Sequence, residues 1–370
     1  MSMLHRCHCS KFVLFELISV LNGFCTRIVG MNLSFISVCT LLPALVANNL
    51  VAADVILVKS SKPGQPSAQR QGEIVDLLGN QLTFQGQTGA VEAIPLDQIT
   101  EWRTTWPAAK EQGDALLAEK KFAEAAAAYG RAREEESRTW ARRQILERSI
   151  ECQAAAGNII PAAEEFFALV ASDPETLGWE VAPLAWRSSD DSNLPGRAAQ
   201  WLKDPTNPAR QLLGASWLLN GAQRAEAVAK LQALAGGPNK KIATLAVIQL
   251  WRTRVVAAPA EEPAQWLAGL ERLPPEVRPL GYFIAADGLA RHDQPEQAAL
   301  TYLRIPILHG RQRALAAEAL LAAGSQLEKM GRREQAASLY REVLTDYASL
   351  PAAATARQRW EQLATPAKQP

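Results

Sequence analysis

The stretch Ala314–Leu363, ALAAEALLAAGSQLEKMGRREQAASLYREVLTDYASLPAAATARQRWEQL, decides the fold. Two helical patterns flank a break at Met330-Gly331-Arg332. Leu320, Ala323, Gly324 and Leu327 form the first, and Ala336, Leu339, Tyr340 and Val343 the second. Each has the i, i+3, i+4, i+7 spacing that lays apolar residues along one face of a helix. Two such faces joined by a short break read as a helical hairpin.

The same offsets return along the chain. Ala336 follows Gly324 by 12 residues and Tyr340 follows Ala336 by 4. Gly113, Ala125 and Tyr129, with Ala132 behind them, keep this register, as do Ile150, Ala162 and Phe166, and again Ala286, Ala298 and Tyr302. The second copy closes on Pro174. These positions resemble the tetratricopeptide repeat, a helix–turn–helix of about 34 residues. Leu320 stands where that family has Trp, and its closing proline falls late, at Pro351. The spacing from 113 to 150 is 37 residues and from 286 to 324 is 38, so both carry small insertions. The resemblance implies an α-solenoid of antiparallel helix pairs in a mostly α chain. An irregular helical bundle is the alternative.

At 370 residues the chain suggests two or three modules. Hydrophobic residues make up 48%, enough to bury a core, and Ala-rich runs favour helix. A net charge of +1 without a basic stripe argues against a nucleic-acid partner. Cys7, Cys9, Cys25 and Cys39 lie near the N-terminus, which leaves Cys152 alone in the body of the chain, without an internal disulfide.

Residues 1–53 read as a targeting segment. Leu33–Ala53 is uncharged and apolar, and Val51 and Ala53 fit the −3 and −1 places of a signal-peptidase site before Asp54. Met31 precedes the run, so residues 1–30 fit an upstream extension from a misassigned start. The alternative is an uncleaved membrane anchor, since about 20 apolar residues span a bilayer. Pro43, Asn48 and Asn49 weaken that span. His5, Cys7, His8 and Cys9 have no second cluster to complete a metal site.

Residues 54–103 read as a small β module. VILV at 55–58, two runs either side of Gly79-Asn80, and VEAIPLDQITEW around a turn at Pro95-Leu96-Asp97 give several short strands. They resemble SH3-like or Sm-like barrels. Trp102 and Trp106 bracket the junction, and Pro107 suits the first position of a helix. Repeats one and two then occupy 104–175. Residues 176–279 hold an irregular connector rich in Trp, Pro, Ser and Asp, with a short helix at Ala198–Leu202, followed by HEAT-like helices separated by Gly221 and Gly236-Gly237-Pro238. Repeats three and four fill 280–363, with a disordered tail at 364–370.

No local catalytic motif, metal-ligand spacing or cofactor loop occurs. His292 and His309 sit beside loop signals and read as solvated. Glu134-Glu135-Glu136 at a helix end reads as wet surface, and the ten tryptophans read as packing anchors between helices. The expected function is therefore a non-catalytic scaffold without cofactor or small-molecule substrate, binding protein or peptide partners. In the tetratricopeptide family the first helix of each unit lines a concave groove. The resemblance puts Lys110 and Asp114, then Gln144, Glu147 and Glu151, then Phe283 and Asp287, then Leu321, Ser325 and Glu328 along it. Glu147 and Glu151 lie one turn apart on one face, and the acidic excess favours a partner with Lys, Arg or a free amine. The segment Tyr340–Tyr347, YREVLTDY, resembles repeats of periplasmic division-coordination and outer-membrane-assembly proteins. An exported, cell-envelope location follows. A membrane-anchored subunit of an envelope complex is the alternative, and an enzyme without a local motif comes third.

N-terminal sequencing of the protein from its host should begin at Asp54 or within a few residues. An intact Leu33–Ala53 on a membrane-embedded chain would favour the anchor instead.

Overall fold

The structure is a computed structural model that describes residues 53–60 and 64–364; the targeting segment before Ala53 and the end of the tail lie outside them. The chain opens with strands β1 (Asp54–Val58), β2 (Ala68–Leu78), β3 (Gln81–Gly86), β4 (Val91–Pro95) and β5 (Ile99–Arg103). They form one antiparallel sheet in the order β4-β3-β2-β1-β5. The expected turn at Gly79-Asn80 links β2 to β3, with Gly79 in the left-handed region at φ +52°. A 3-10 turn, Leu96–Gln98, carries the chain from β4 on one edge to β5 on the other.

The two edges do not pair, so the sheet is open and not the closed barrel expected. Its uncovered side is completed from outside: Trp140 and Ala141, from the helical part, join Ile56, Ile74, Leu82 and Phe84 in one buried cluster. Few apolar residues are needed from the sheet itself when a helix supplies the rest of the core. Polar links fix the docking. Arg143 donates to the Leu77 carbonyl at 2.9 Å and pairs with Asp76, while Asp173 Oδ2 accepts the Gly79 N–H at 2.8 Å.

Helices follow to the end. The first four are α1 (Ala108–Ala118), α2 (Phe122–Glu135), α3 (Thr139–Ala155) and α4 (Ile159–Ser172). Pro107 sits one residue ahead of α1, at its cap. After a 3-10 turn at Leu177–Val181 come α5 (Leu194–Leu202), longer than expected, α6 (Pro208–Leu218), α7 (Arg224–Ala235) and α8 (Lys240–Arg254). Asn207 and Asn239 cap α6 and α8 by accepting the N–H groups of Arg210 and Ile242. The Pro-rich stretch holds α9 (Glu262–Leu270). The last five are α10 (Pro279–Arg291), α11 (Pro295–Leu308), α12 (Arg313–Lys329), α13 (Arg333–Asp346) and α14 (Ala352–Ala364). None of the described helices is long and apolar enough to cross a membrane.

The hairpins α1–α2, α3–α4, α10–α11 and α12–α13 turn in one way. The residues with positive φ are Lys120, Gly157, Asp293 and Gly331, each seven positions after the small or apolar marker of its unit. The next N–H closes back on the helix: Lys121 to Leu116 O, Asn158 to Gln153 O, Gln294 to Leu289 O and Arg332 to Leu327 O, at 2.9–3.1 Å. This is the six-to-one bond of a Schellman ending, which satisfies carbonyls that the helix end leaves open. Residues Ala125, Ala162, Ala298 and Ala336 are all 0% exposed, as the register requires. A Cβ on Gly113 would stand 2.7 Å from Cε1 of Tyr129, and one on Gly324 would press equally into Tyr340. Helices in these pairs approach as closely as a glycine allows.

The first and last hairpins also meet. Lys120 Nζ donates to the Thr345 carbonyl at 2.7 Å, and Arg313 donates to the Asp346 carbonyl at 2.9 Å while its guanidinium lies between the Phe122 and Tyr347 rings.

Gly324→Ala should lower thermal stability although alanine is the better helix former by about 1 kcal/mol, because overpacking costs roughly 1–3 kcal/mol. Gly130→Ala in α2 has open space around the new methyl and should raise stability by about 0.5–1 kcal/mol. Thermal melts of both variants check this; a shift of the same sign in both would refute the close approach.

Candidate functional site

Helix α3 carries Glu147 and Glu151 on one face, as expected, but the face is covered. The two are 8% and 6% exposed. The connection between α11 and α12 brings Arg311 against them, with Nη2 3.1 Å from Glu147 and Nε 3.5 Å from Glu151. The 3-10 turn at Leu177–Val181 adds Glu180, 3.9 Å from Arg311 and 3.0 Å from His309 Nδ1. Gln312 donates to the Glu180 carbonyl, and Thr176 donates to Glu147 at 3.4 Å. Burial by itself would pull the Arg311 pKa down; Glu147, Glu151 and Glu180 together hold it above its ordinary value.

Three expectations are corrected by this cluster and its surroundings. Glu147 and Glu151 are partners of a half-buried guanidinium, not open positions along a groove. His309 is buried rather than solvated, 4% exposed, with its ring against Tyr282. Glu136, too, is buried, 2.8 Å from Arg138, instead of lying on open surface with Glu134 and Glu135.

The other groove candidates stay within their own hairpins. Asp114 pairs with Lys110 at 2.7 Å and accepts the Tyr129 hydroxyl at 2.7 Å. Glu328 accepts the Tyr340 hydroxyl in the same manner. Burial and these hydrogen bonds raise both tyrosine pKa values. Asp287 pairs with Arg291 at 3.0 Å, and Phe283 packs edge-on against Tyr302. Leu321 and Ser325 are half-buried on α12. Gln144 alone joins Glu147 and Arg311, in a recess of about 190 Å³ between α3 and the β2–β3 turn.

On the other side of Arg311 lies a larger cleft that sequence reasoning passed over. Its main part, about 420 Å³, lies between Trp186 and Trp217, over Ala154, Ile159, Ala314 and Pro351. The loop from Arg187 to Asp191 forms its rim. A recess of about 330 Å³ continues it past Gly157 and Pro351 to Phe122 and Lys120. Trp217 is held by its indole N–H, which donates to the Pro183 carbonyl at 2.9 Å. The cleft exists because three turns and the connector converge where the first and last hairpins meet. Its signal in the sequence was the density of Trp, Pro, Ser and Asp between 177 and 208.

Burial pushes the Cys152 thiol up to about 12, so it is a poor source of thiolate at neutral pH. The carboxylates of Glu147, Glu151 and Glu180 face a guanidinium, which already occupies the place a cation would take. Among the described residues no group of three or more His, Cys, Asp or Glu could hold a metal ion. Comparison with protein-family models, curated proteins and solved structures returns no match.

Glu147→Lys or Glu151→Lys places a second cation beside Arg311 and should cost about 3 kcal/mol or more. Denaturant titration measures the loss. An unchanged midpoint for either variant would mean the cluster does not hold the fold together.

Proposed function

We propose that the chain is a non-catalytic adaptor that holds a segment of a partner protein in the cleft between Trp186 and Trp217. The cleft carries this reading. Its volume of about 420 Å³ falls in the range of about 300–1,000 Å³ typical of ligand sites, and indole walls over a floor of small side chains are an interaction surface of the kind tryptophan favours. The scaffold in this reading is a tetratricopeptide-like α-solenoid. The shared offsets, the four like turns and the glycine–tyrosine approaches support it. The sheet, in the same reading, is an SH3-like module that packs on α3 without a ligand of its own. Export to the cell envelope, with the segment ending at Ala53 as signal, rests on the sequence; a membrane-anchored subunit remains the second form of the same proposal.

A photo-cross-linking residue placed at Ser188, on the rim, tests it. In the host it should give a discrete protein adduct that the same residue at Ser338, exposed on α13, does not give. Absence of an adduct, or the same adducts from both positions, would overturn the assignment of the cleft.

A further inference from the structure

Resting on that reading, we infer that the occupant of the cleft is an extended basic segment. A Lys or Arg side chain would sit against Asp190 and Asp191, with a neighbouring apolar side chain on Trp186 and Trp217. The inference rests on which charges in the cleft are already committed. Two cations line it, Arg187 and Lys120, and two more, Arg311 and Arg313, line an adjoining recess that shares Trp186 and Trp217; each is engaged within the chain. Arg187 pairs with Glu318 at 2.6 Å. Lys120 donates to the Thr345 carbonyl and pairs with Asp346 at 3.3 Å. Arg313 donates to the Asp346 carbonyl and lies between two aromatic rings. Arg311 belongs to the buried glutamates.

The two aspartates differ. Asp190 is exposed and makes no ion pair or hydrogen bond among the described residues. Asp191 accepts the Asn193 N–H at 2.9 Å through one oxygen and pairs with no cation. The uncommitted charge of the cleft is therefore negative, and it lies at the rim, beside the indoles. The Arg187 guanidinium already lies 5.7 Å from the centre of the Trp186 ring, so of the two indoles it is Trp217 whose face can add to the preference for a cation. A lysine stem can cover apolar wall while its ammonium reaches the rim. An acidic segment would meet like charge at Asp190 and Asp191. The groove lined by the first helix of each unit is a different surface, and its candidate acids Asp114, Asp287 and Glu328 are paired or hydrogen-bonded.

The test uses the full chain and three labelled peptides: Ac-Ala-Lys-Phe-Ala-Lys-Ala-amide, and its analogues with both lysines replaced by norleucine or by glutamate. Fluorescence anisotropy reads binding at low and at high salt. The lysine peptide should bind most tightly, by about fivefold per carboxylate over the norleucine peptide, the scale of one exposed ion pair, and salt should narrow that gap. The double substitution Asp190→Asn with Asp191→Asn retains the oxygen that accepts from Asn193. It should bring the lysine peptide down to the norleucine level, remove the salt dependence, and leave the norleucine peptide unchanged. Equal binding of the lysine and glutamate peptides, or a double variant that keeps full preference for lysine, would overturn the charge inference while leaving the cleft as a binding site. If none of the peptides binds at millimolar concentration, the inference and the cleft reading fall together.

Discussion

Arg311 holds its charge half-buried among three carboxylates, and the rest of the helical array is arranged to make that tolerable. A guanidinium taken out of water costs several kcal/mol unless it is paired in good geometry. Three carboxylates from two separate elements meet that need, with Glu147 164 positions away in sequence. Two of the three are themselves buried. Each element is thus obliged to stay where it is: α3 by its glutamates, the 3-10 turn by Glu180, and the α11–α12 connection by Arg311, His309 and Gln312. A charge cluster of this kind adds less net stability than an apolar core of the same volume. What it adds is a defined arrangement, since any slip of α12 along α3 leaves a buried charge unpaired.

The contact between the ends of the array has the same character. Lys120 adopts a left-handed backbone that glycine takes in two of the three equivalent turns, at a cost of roughly 1–2 kcal/mol for a residue with a side chain. Its ammonium is what a glycine could not supply, the bond to the Thr345 carbonyl. Arg313, the first residue of α12 in the opposite hairpin, grips the neighbouring Asp346 carbonyl and two rings. Local strain in one turn is offset by a contact between segments 225 positions apart. The cleft between Trp186 and Trp217 lies beside this meeting.

Much of the helical part was legible in the sequence because close packing leaves a mark that spacing can carry. Only a small residue fits at 113 or 324 when a tyrosine 16 positions on lies against it, and an apolar stripe follows wherever a helix has one buried face. The turns were legible only where glycine marks them. Lys120 and Asp293 take the same conformation without any local sign. The open sheet was misread as a barrel because alternation within strands reports which face is buried, not what buries it; Trp140 comes from a helix that begins 36 positions after β5 ends. Glu147 and Glu151 were misread for a related reason. Two acids one turn apart look like a solvated face until a distant arginine is folded onto them, and no pattern within α3 announces Arg311.

The cleft was missed because periodicity is a signal of regular packing, and clefts form where regular packing stops. Residues 177–208 have no repeat register to satisfy, so their side chains are free of the constraint that fixes Ala125 or Ala336. Such segments run over the surface and tolerate change, yet a rigid scaffold can hold them in place. The distribution of charge separates what the fold needs from what it does not. Arg187, Lys120, Arg311 and Arg313 are each satisfied from within, and removing any of them would strand an acid, a carbonyl or a ring. Among the described residues Asp190 satisfies nothing. A charged side chain beside two half-buried indoles, with no partner of its own among the described residues, contributes nothing evident to the fold; under the proposed function, what it would confer is discrimination between a cationic visitor and an anionic one.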